Sequence, residues 1–527
     1  MAVNSERTRQ PGADSGSLVE RAIWVLGKDH LSVPACYRLL LSAVLRLGDI
    51  TPSSGMPPWL RAGLRWDRLL TERHTEGGLS EDSVVWASAV ERLVSARLPV
   101  IASLDLEWSL RIQQQIGRAV YWMSIEGQGA TSPQAIWGAW VADRPSFQVE
   151  LSIIDQGRVE QRGRREFRMS RTSPALAQYE ALRGGAVLVT EEARRTERRG
   201  SHSISSFSSE ATTAPRRRGR ASAALRGLCR IVVRRMRNRV VSHEPYQWLI
   251  GIAQCSRERP GASGLTLPPM SSFAWIEPGR DRQLADPFLV DLAEEKVLFF
   301  EELPYATWRG RLKAVALDRA GEPRGPEAVV LDRPYHLSFP NVFRADSDPE
   351  SLYLLPEQFA SGHTVLYRST LAGRLDQLRF TEHCVLLRDF AGIDPVLYRA
   401  DPHWYLFVSN GAFGNLDNNL YLFVSTRLEG PYTPHPASPI REGLRGARMA
   451  GQLLHQQGEL LRLGQDCVTG YGAGVVVFRV DTLTAEDYAE TEVQVVDRAS
   501  LLPGSLGVHS LTAASSLMAV DVLRTRR

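Results

Sequence analysis

The feature that most limits what this chain can become is a repeat. Asp286-Pro-Phe-Leu-Val, Pro340-Asn-Val-Phe-Arg, Asp394-Pro-Val-Leu-Tyr and Arg448-Met-Ala-Gly-Gln begin at successive steps of 54 residues, and His509-Ser-Leu-Thr follows 61 later. A sustained period of this length sets the fold before any local propensity does. Each interval holds three or four short β-rich runs separated by turn residues, the content of a small antiparallel sheet. Such a sheet cannot bury both faces alone, so neighbouring units must pack on one another. Five units predict an all-β five-bladed β-propeller over residues 245–527. The fifth unit is short after His509. An open ring would leave unpaired strand edges, so Trp248 to Ala253 is expected to complete it.

A chain of 527 residues is too long for one ordinary core. Residues 18–198 alternate strand-like and helix-like segments, which predicts an α/β domain with a largely parallel sheet. Strands are expected at Arg21 to Gly27, Val84 to Ala87, Pro99 to Leu104, Ala119 to Ile125, Phe147 to Ile154 and Val159 to Met169. Helices are expected at Pro34 to Leu47, Glu91 to Arg97, Leu106 to Ile116, Ser132 to Val141 and Ser173 to Arg195. Ser132-Pro133 is a good helix opening, a side-chain cap followed by a residue with no N–H to satisfy.

Residues 199–244 read as a basic, Ser/Arg-rich linker and helix. Arg199 to Pro215 has little periodicity. Between Arg216 and Arg239 stand ten arginines, with Leu225, Leu228, Ile231, Val232 and Met236 near helical spacing. That pattern fits contact with an anionic surface, and equally a solvated face on a connecting helix. The net charge of +4 is gathered there, so no nucleic-acid partner is expected. Cys36, Cys229, Cys255, Cys384 and Cys467 form no C-x-x-C, which predicts neither a zinc knuckle nor a disulfide framework. No metal and no cofactor is expected. No run is long and apolar enough to span a membrane, and Met1 to Ser17 lacks the apolar core of a secretory signal. The expectation is a cytoplasmic protein.

In a propeller the innermost strands line the axis, so residues at equivalent repeat positions converge. Asp286 and Asp394 share one position, Arg448 holds it in the fourth unit, and His336 and His509 lie nearby. Together they predict a polar funnel. Each residue also has a plainer reading. Asp-Pro opens turns well. The histidines suit backbone contacts between blades. Glu301 and Glu302 read as surface or blade-edge residues. Gln465-Asp466-Cys467 reads as a buried polar network, and Trp404 and Tyr405 as blade core.

Two resemblances bear on this reading. Gly117 to Gly157, with Trp137-Gly-Ala and Ile154-Asp155-Gln-Gly157, resembles the formyltransferase-like fold of methionyl-tRNA formyltransferase relatives. That family's chemistry uses an Asn and a His just after the central strand. Here the place reads Tyr121-Trp-Met-Ser-Ile-Glu126, so the domain is read as degenerate, with formyl transfer as a second alternative function. The second resemblance spans about Ser271 to Val496. Ala285-Asp-Pro-Phe and Ile393-Asp-Pro-Val resemble the axial aspartates of five-bladed arabinanase, invertase and levansucrase folds. With Phe299-Phe-Glu-Glu302, His336-Leu-Ser-Phe-Pro340, Leu354-Leu-Pro-Glu357, Arg448-Met-Ala-Gly451, Gln465-Asp-Cys467 and Tyr471-Gly472, the stretch resembles the N-terminal domain of the glucosamine inositolphosphorylceramide transferase family. In that family the transferase activity is placed in a separate C-terminal domain, for which this sequence offers no counterpart.

The resemblance implies sugar handling. Glycoside chemistry needs one carboxylic acid and one carboxylate flanking the bond. Asp286 is then base or nucleophile, and Asp394 the orienting carboxylate. The hydrolase relatives place their acid in the fourth blade, where this chain has Arg448, which cannot supply a proton near neutral pH. Glu357 is the substitute acid, and Arg448 suits a phosphate or carboxylate on the ligand. His336, Gln465, Asp466, Tyr471 and His509 complete the expected contacts. The expectation is recognition, and possible hydrolysis or transfer, of a glycosyl or glycosyl-phosphate unit. Its alternative is a non-catalytic glycan-binding or protein-interaction scaffold.

Overall fold

The computed structural model describes residues 246–525 apart from 256–263, 371–372, 412–415, 457 and 515. Before residue 246 it describes strands at 23–27, 30–32 and 100–102, the stretches 119–129 and 144–169, and separate positions between 106 and 188. The chain divides into two compact units, Met1–Val240 and Val241–Arg527. The described residues are nearly all β, and none of their helices is long and apolar enough to cross a membrane. The expected segments Pro34 to Leu47, Val84 to Ala87, Glu91 to Arg97, Arg199 to Pro215 and Arg216 to Arg239 lie outside the described residues.

In the first unit a seven-stranded sheet joins Ile23–Gly27, His30–Ser32, Val100–Ala102, Val120–Ile125, Gln128–Gly129, Ser146–Asp155 and Arg158–Arg168. Ile23–Gly27, Val100–Ala102 and Val120–Ile125 pair in parallel, while the remaining pairings are antiparallel. This corrects the largely parallel expectation: the sheet is mixed. The reason is local. The Ser146–Asp155 and Arg158–Arg168 strands are joined by the two-residue Gln156-Gly157 turn at positive φ, which returns the chain as a hairpin.

Among the described residues the second unit holds five antiparallel sheets in chain order. Sheet I is Arg282–Asp291, Lys296–Pro304, Arg311–Leu317 and Pro323–Leu331. Sheet II is Ser338–Ala345, Asp348–Glu357, Thr364–Thr370 and Thr381–Leu387. Sheet III is Gly392–Ala400, His403–Asn410, Asn419–Ser425 and Thr433–Pro434, with Arg441–Glu442 added to its third strand. Sheet IV is Arg445–Met449, Glu459–Asp466, Gly474–Leu483 and Tyr488–Asp497, with Leu454–Gln456 beside the second. Sheet V is Leu511–Ala514, Leu517–Thr525, Tyr246–Gln254 and Ala274–Ile276. The strand expected to complete the fifth unit therefore does so: Tyr246–Gln254 pairs with Leu517–Thr525 along its whole length.

The first strands of neighbouring sheets touch from I to IV, and sheet V packs on the first strand of sheet I. Sheets IV and V meet closely, with the Leu511 N–H donating to the Ala450 carbonyl at 2.8 Å. The ring of sheets is closed. Apolar side chains fill the spaces between sheets, with Phe288, Phe299, Phe339, Leu354, Tyr405 and Phe407 all buried. Trp404 and Tyr405 are core, as expected, and Cys467 is fully buried.

The repeat has a local cause. Asp286, Phe339 and Asp394 each adopt a left-handed backbone, with φ of +53°, +47° and +45°, and each precedes a proline. At each the ladder to the second strand breaks, between Ala285 and Phe288, Ser338 and Asn341, and Ile393 and Val396. Asp tolerates this conformation, whereas a bulky Phe in it costs about 1–3 kcal/mol. The equivalent of Asp286 in sheet II is thus Phe339, not Pro340, which corrects the register expected from a uniform step.

Candidate functional site

In each sheet the second strand runs antiparallel to the first, so its end lies beside the bulged start of the first. Ala285 faces Glu301 and Ser338 faces Glu357 across the ladders. Glu301 and Glu357 therefore hold equivalent positions, and both are buried, at 8% and 7% exposure. The bulges bring Asp286, Glu357, Asp394, Arg448, Gln465 and His509 together at one end of the ring, all buried.

Asp286 is held from three sides. Its N–H donates to Asp521 Oδ2 at 2.9 Å, its Oδ2 accepts the Phe339 N–H at 3.1 Å, and its Oδ1 lies 3.2 Å from His509 Nε2. His509 Nδ1 lies 2.9 Å from Asp521 Oδ1, so the imidazole sits between two carboxylates. Burial alone would lower the His509 pKa, but Asp521 and Asp286 raise it to about 10. Burial alone would raise Asp286, yet His509, Arg448 and the Phe339 N–H hold it below the ordinary aspartate range. Trp248, from the strand that completes sheet V, backs His509 with ring centroids 4.1 Å apart.

Asp286, His509 and Asp521 are close enough to hold a metal ion. The three groups are engaged with one another and with backbone N–H groups. Asp521 Oδ1 accepts the N–H groups of His509 and Ser510, its Oδ2 accepts the Asp286 N–H, and the imidazole is cationic at neutral pH.

Asp394 faces the Arg448 guanidinium, accepting Nε on Oδ2 and Nη2 on Oδ1, and takes a third donor from Gln465 Nε2 at 2.9 Å. Glu357 Oε2 accepts the Asp394 N–H at 3.2 Å and Arg448 Nη2 at 3.3 Å. Arg448 Nη1 reaches Asp417 Oδ1 at 3.4 Å. Burial pushes Glu357 and Asp394 above the ordinary carboxylate range despite Arg448. The upward push is the stronger at Asp394, although its carboxylate accepts three N–H donors. Each nitrogen of the Arg448 guanidinium meets a carboxylate of this chain, so it ties side chains of three sheets together. The partners that the structure gives to Arg448 are thus carboxylates from neighbouring sheets.

His336 and Glu301 form a second pair. The Gly310 N–H donates to His336 Nδ1 at 3.0 Å, and Nε2 lies 3.2 Å from Glu301 Oε1. Both ring nitrogens are occupied, so His336 fixes the neighbouring loop rather than offering a ligand contact. Glu302 is buried too, against Arg282, Arg311 and Lys313. The surface reading of both glutamates is overturned. Asp466 turns away from the site to pair with Arg445 at 2.9 Å. Tyr471 stands at the mouth, 38% exposed, with the Arg448 guanidinium 5.0 Å from its ring centre and His509 at 5.2 Å. Burial of its hydroxyl, together with Asp286, Asp394 and Glu357, keeps the phenol protonated.

Sequence reasoning missed Glu301, Asp417 and Asp521. Glu301 had a signal, since it precedes Glu357 by 56 residues, close to the repeat length. Asp521 had another, a lone carboxylate inside the apolar run Met518-Ala-Val-Asp-Val-Leu523.

Residues 266–501 match a family described as glucosamine inositolphosphorylceramide transferase 1, N-terminal. Over this stretch the chain resembles that family. The Arabidopsis thaliana glucosamine inositolphosphorylceramide transferase 1 is 30% identical over 244 residues, 45% of this chain and 31% of that protein. The Oryza sativa subsp. japonica protein of the same name is 32% identical over 216 residues, 40% of this chain and 28% of that one. The chain thus spans less than a third of the length of these relatives. Among solved structures, a family 117 glycoside hydrolase from Zobellia galactanivorans aligns at 10% identity with a TM-score of 0.33, over 54% of this chain and 92% of that one.

Proposed function

We propose that the five sheets are the blades of a five-bladed β-propeller whose axial mouth recognises a glycosyl or glycosyl-phosphate unit. In this reading Asp286 and Glu357 act on the glycosidic bond, transferring the sugar to water or to another acceptor. The observation that carries it is the opposed state of two neighbouring carboxyls. His509 holds Asp286 below the ordinary aspartate range, whereas burial pushes Glu357 above the ordinary glutamate range. Two carboxyls driven apart in pKa are what acid and base roles in glycoside cleavage require. Glu357 would protonate the leaving oxygen while Asp286 attacks the anomeric carbon or activates the acceptor hydroxyl. Asp394 and Arg448 would hold Glu357 in place, and Tyr471 would form the wall of the mouth. The names of the relatives support a carbohydrate ligand.

The second reading is a binding module without turnover. It is favoured by the burial and internal pairing of Asp394 and Arg448, which leave few polar groups directed outward. The test is a panel of glycosides and glycosyl phosphates, with binding followed by calorimetry and products by chromatography. Binding with product formation supports the first reading, and binding without any product supports the second. No binding to any member refutes both.

A further inference from the structure

The loops that follow the second strands all emerge at the same end of the ring as the buried carboxyls. Four of them carry a large exposed apolar side chain: Trp308 in sheet I, Phe359 in II, Leu416 in III and Tyr471 in IV. Trp308 is the most exposed of these, at 53%. Such a residue is costly to display in water, and three further features show that it is also held in place. Its backbone is left-handed, with φ of +49°, a conformation that a bulky side chain adopts only under constraint. Its N–H is tied to the Pro304 carbonyl at 2.9 Å, and its ring leans on Tyr305 with centroids 5.4 Å apart. Two residues on, Gly310 is fixed at both ends, its N–H to His336 Nδ1 and its carbonyl accepting the Leu337 N–H at 3.0 Å.

Gly310 is wedged against the axial site. A Cβ placed there would lie 2.5 Å from Glu301 Oε1 and 2.8 Å from His336 Cε1. Glu301 in turn feels the charges of Asp286 and His509. Two trans residues span at most about 7 Å, so the backbone of Trp308 lies within that reach of Gly310, which touches the Glu301 carboxyl beside Asp286 and His509. The His336–Glu301 pair, which the proposed chemistry does not use, thereby acquires a purpose as the clamp of this loop.

We propose that Trp308, backed by Tyr305, is a stacking platform for a second sugar ring, so that the substrate is a disaccharide or longer. This rests on the glycosyl reading of the axial mouth and extends it outward. One face of a pyranose is lined by C–H groups and packs on an aromatic ring, while its hydroxyls remain in water. An aromatic platform therefore adds affinity for ring-shaped saccharide units without needing buried polar partners.

The test is calorimetric titration of the full chain with glucosamine and galactose, and with their β-linked dimers and trimers. Wild type is compared with W308A and W308F, each checked for an unchanged near-ultraviolet dichroism spectrum. W308A should bind dimers and trimers about tenfold more weakly and the monosaccharides unchanged, with W308F keeping most of the affinity. Equal loss on monosaccharides and dimers, or no loss on dimers, overturns the platform while leaving the axial site standing. Absence of saccharide binding by wild type overturns both. Binding to phosphatidylcholine vesicles that W308A abolishes, with saccharide affinity unchanged, overturns the platform in favour of a lipid-facing surface.

Discussion

Replacing His509 by glutamine keeps an N–H near Asp286 but removes the imidazolium between Asp286 and Asp521. His509 is buried, and its pKa is raised from 6.5 to about 10. Because the folded value lies above the unfolded one, the native state keeps a proton that the unfolded chain releases. The stabilisation is complete below about pH 6.5 and falls by about 1.4 kcal/mol per pH unit as the pH rises towards 10. Between about pH 6.5 and 8, roughly 2 kcal/mol should be lost. The assay is urea unfolding followed by near-ultraviolet dichroism, for wild type and H509Q, at several pH values between about 6 and 9. The stability difference between the two proteins should be largest at the acid end and shrink steadily as the pH rises. A difference that stays constant across this range would show that His509 is not a charged clamp, and the ionised state assigned to Asp286 would lose its cause.

Three other outcomes follow from the packing and the charges. Gly451 has φ of +136°, and a Cβ there would lie 2.0 Å from the Leu511 carbonyl oxygen, so G451A should cost at least about 3 kcal/mol by urea unfolding. Arg462 is fully buried, with Nε 2.6 Å from Glu490, so R462M should cost about 1–3 kcal/mol by urea unfolding, Glu490 keeping Arg441 at 3.0 Å as its remaining cation. On any glycoside the protein turns over, E357Q should lower kcat strongly and abolish the alkaline fall of the pH–rate profile, measured against wild type on the same substrate.

The two aspartates were legible in the sequence because their chemistry and their backbone need coincide. A left-handed bulge before proline tolerates Asp, so Asp286 and Asp394 recur at one offset. Phe339 occupies the same bulge without the carboxyl, and alignment on Pro340 displaced sheet II by one residue. Strand edges gave Trp248 to Ala253 its place in sheet V, since a ring must close. The partners were hidden. Glu301 and Glu302 adjoin in sequence but project to opposite faces of one strand, one towards His336 and one into the Arg282 cluster. Nothing in a one-dimensional reading tells which of two neighbouring glutamates faces the axis. Arg448 was found by its position, yet its partners come from three other stretches, Glu357, Asp394 and Asp417. A guanidinium suits a ligand anion or buried carboxylates equally well, and only the folded geometry decides between them. In the first unit the two strands on either side of Gly157 were legible as a pair, while the strand and helix alternation before them suggested a sheet more parallel than it is.

The central claim is that Asp286 is the ionised member of an acid–base pair acting on a glycosyl unit. Its most direct test is D286N, an almost isosteric change, on the first glycoside that wild type binds. Turnover and affinity are measured on the same preparation. The account predicts that turnover is abolished while affinity stays within a few-fold of wild type, because the amide fills the same space but cannot act as base or nucleophile. If D286N turns the glycoside over at the wild-type rate, or loses affinity and turnover in equal measure, Asp286 is a binding or structural residue and the catalytic account is wrong.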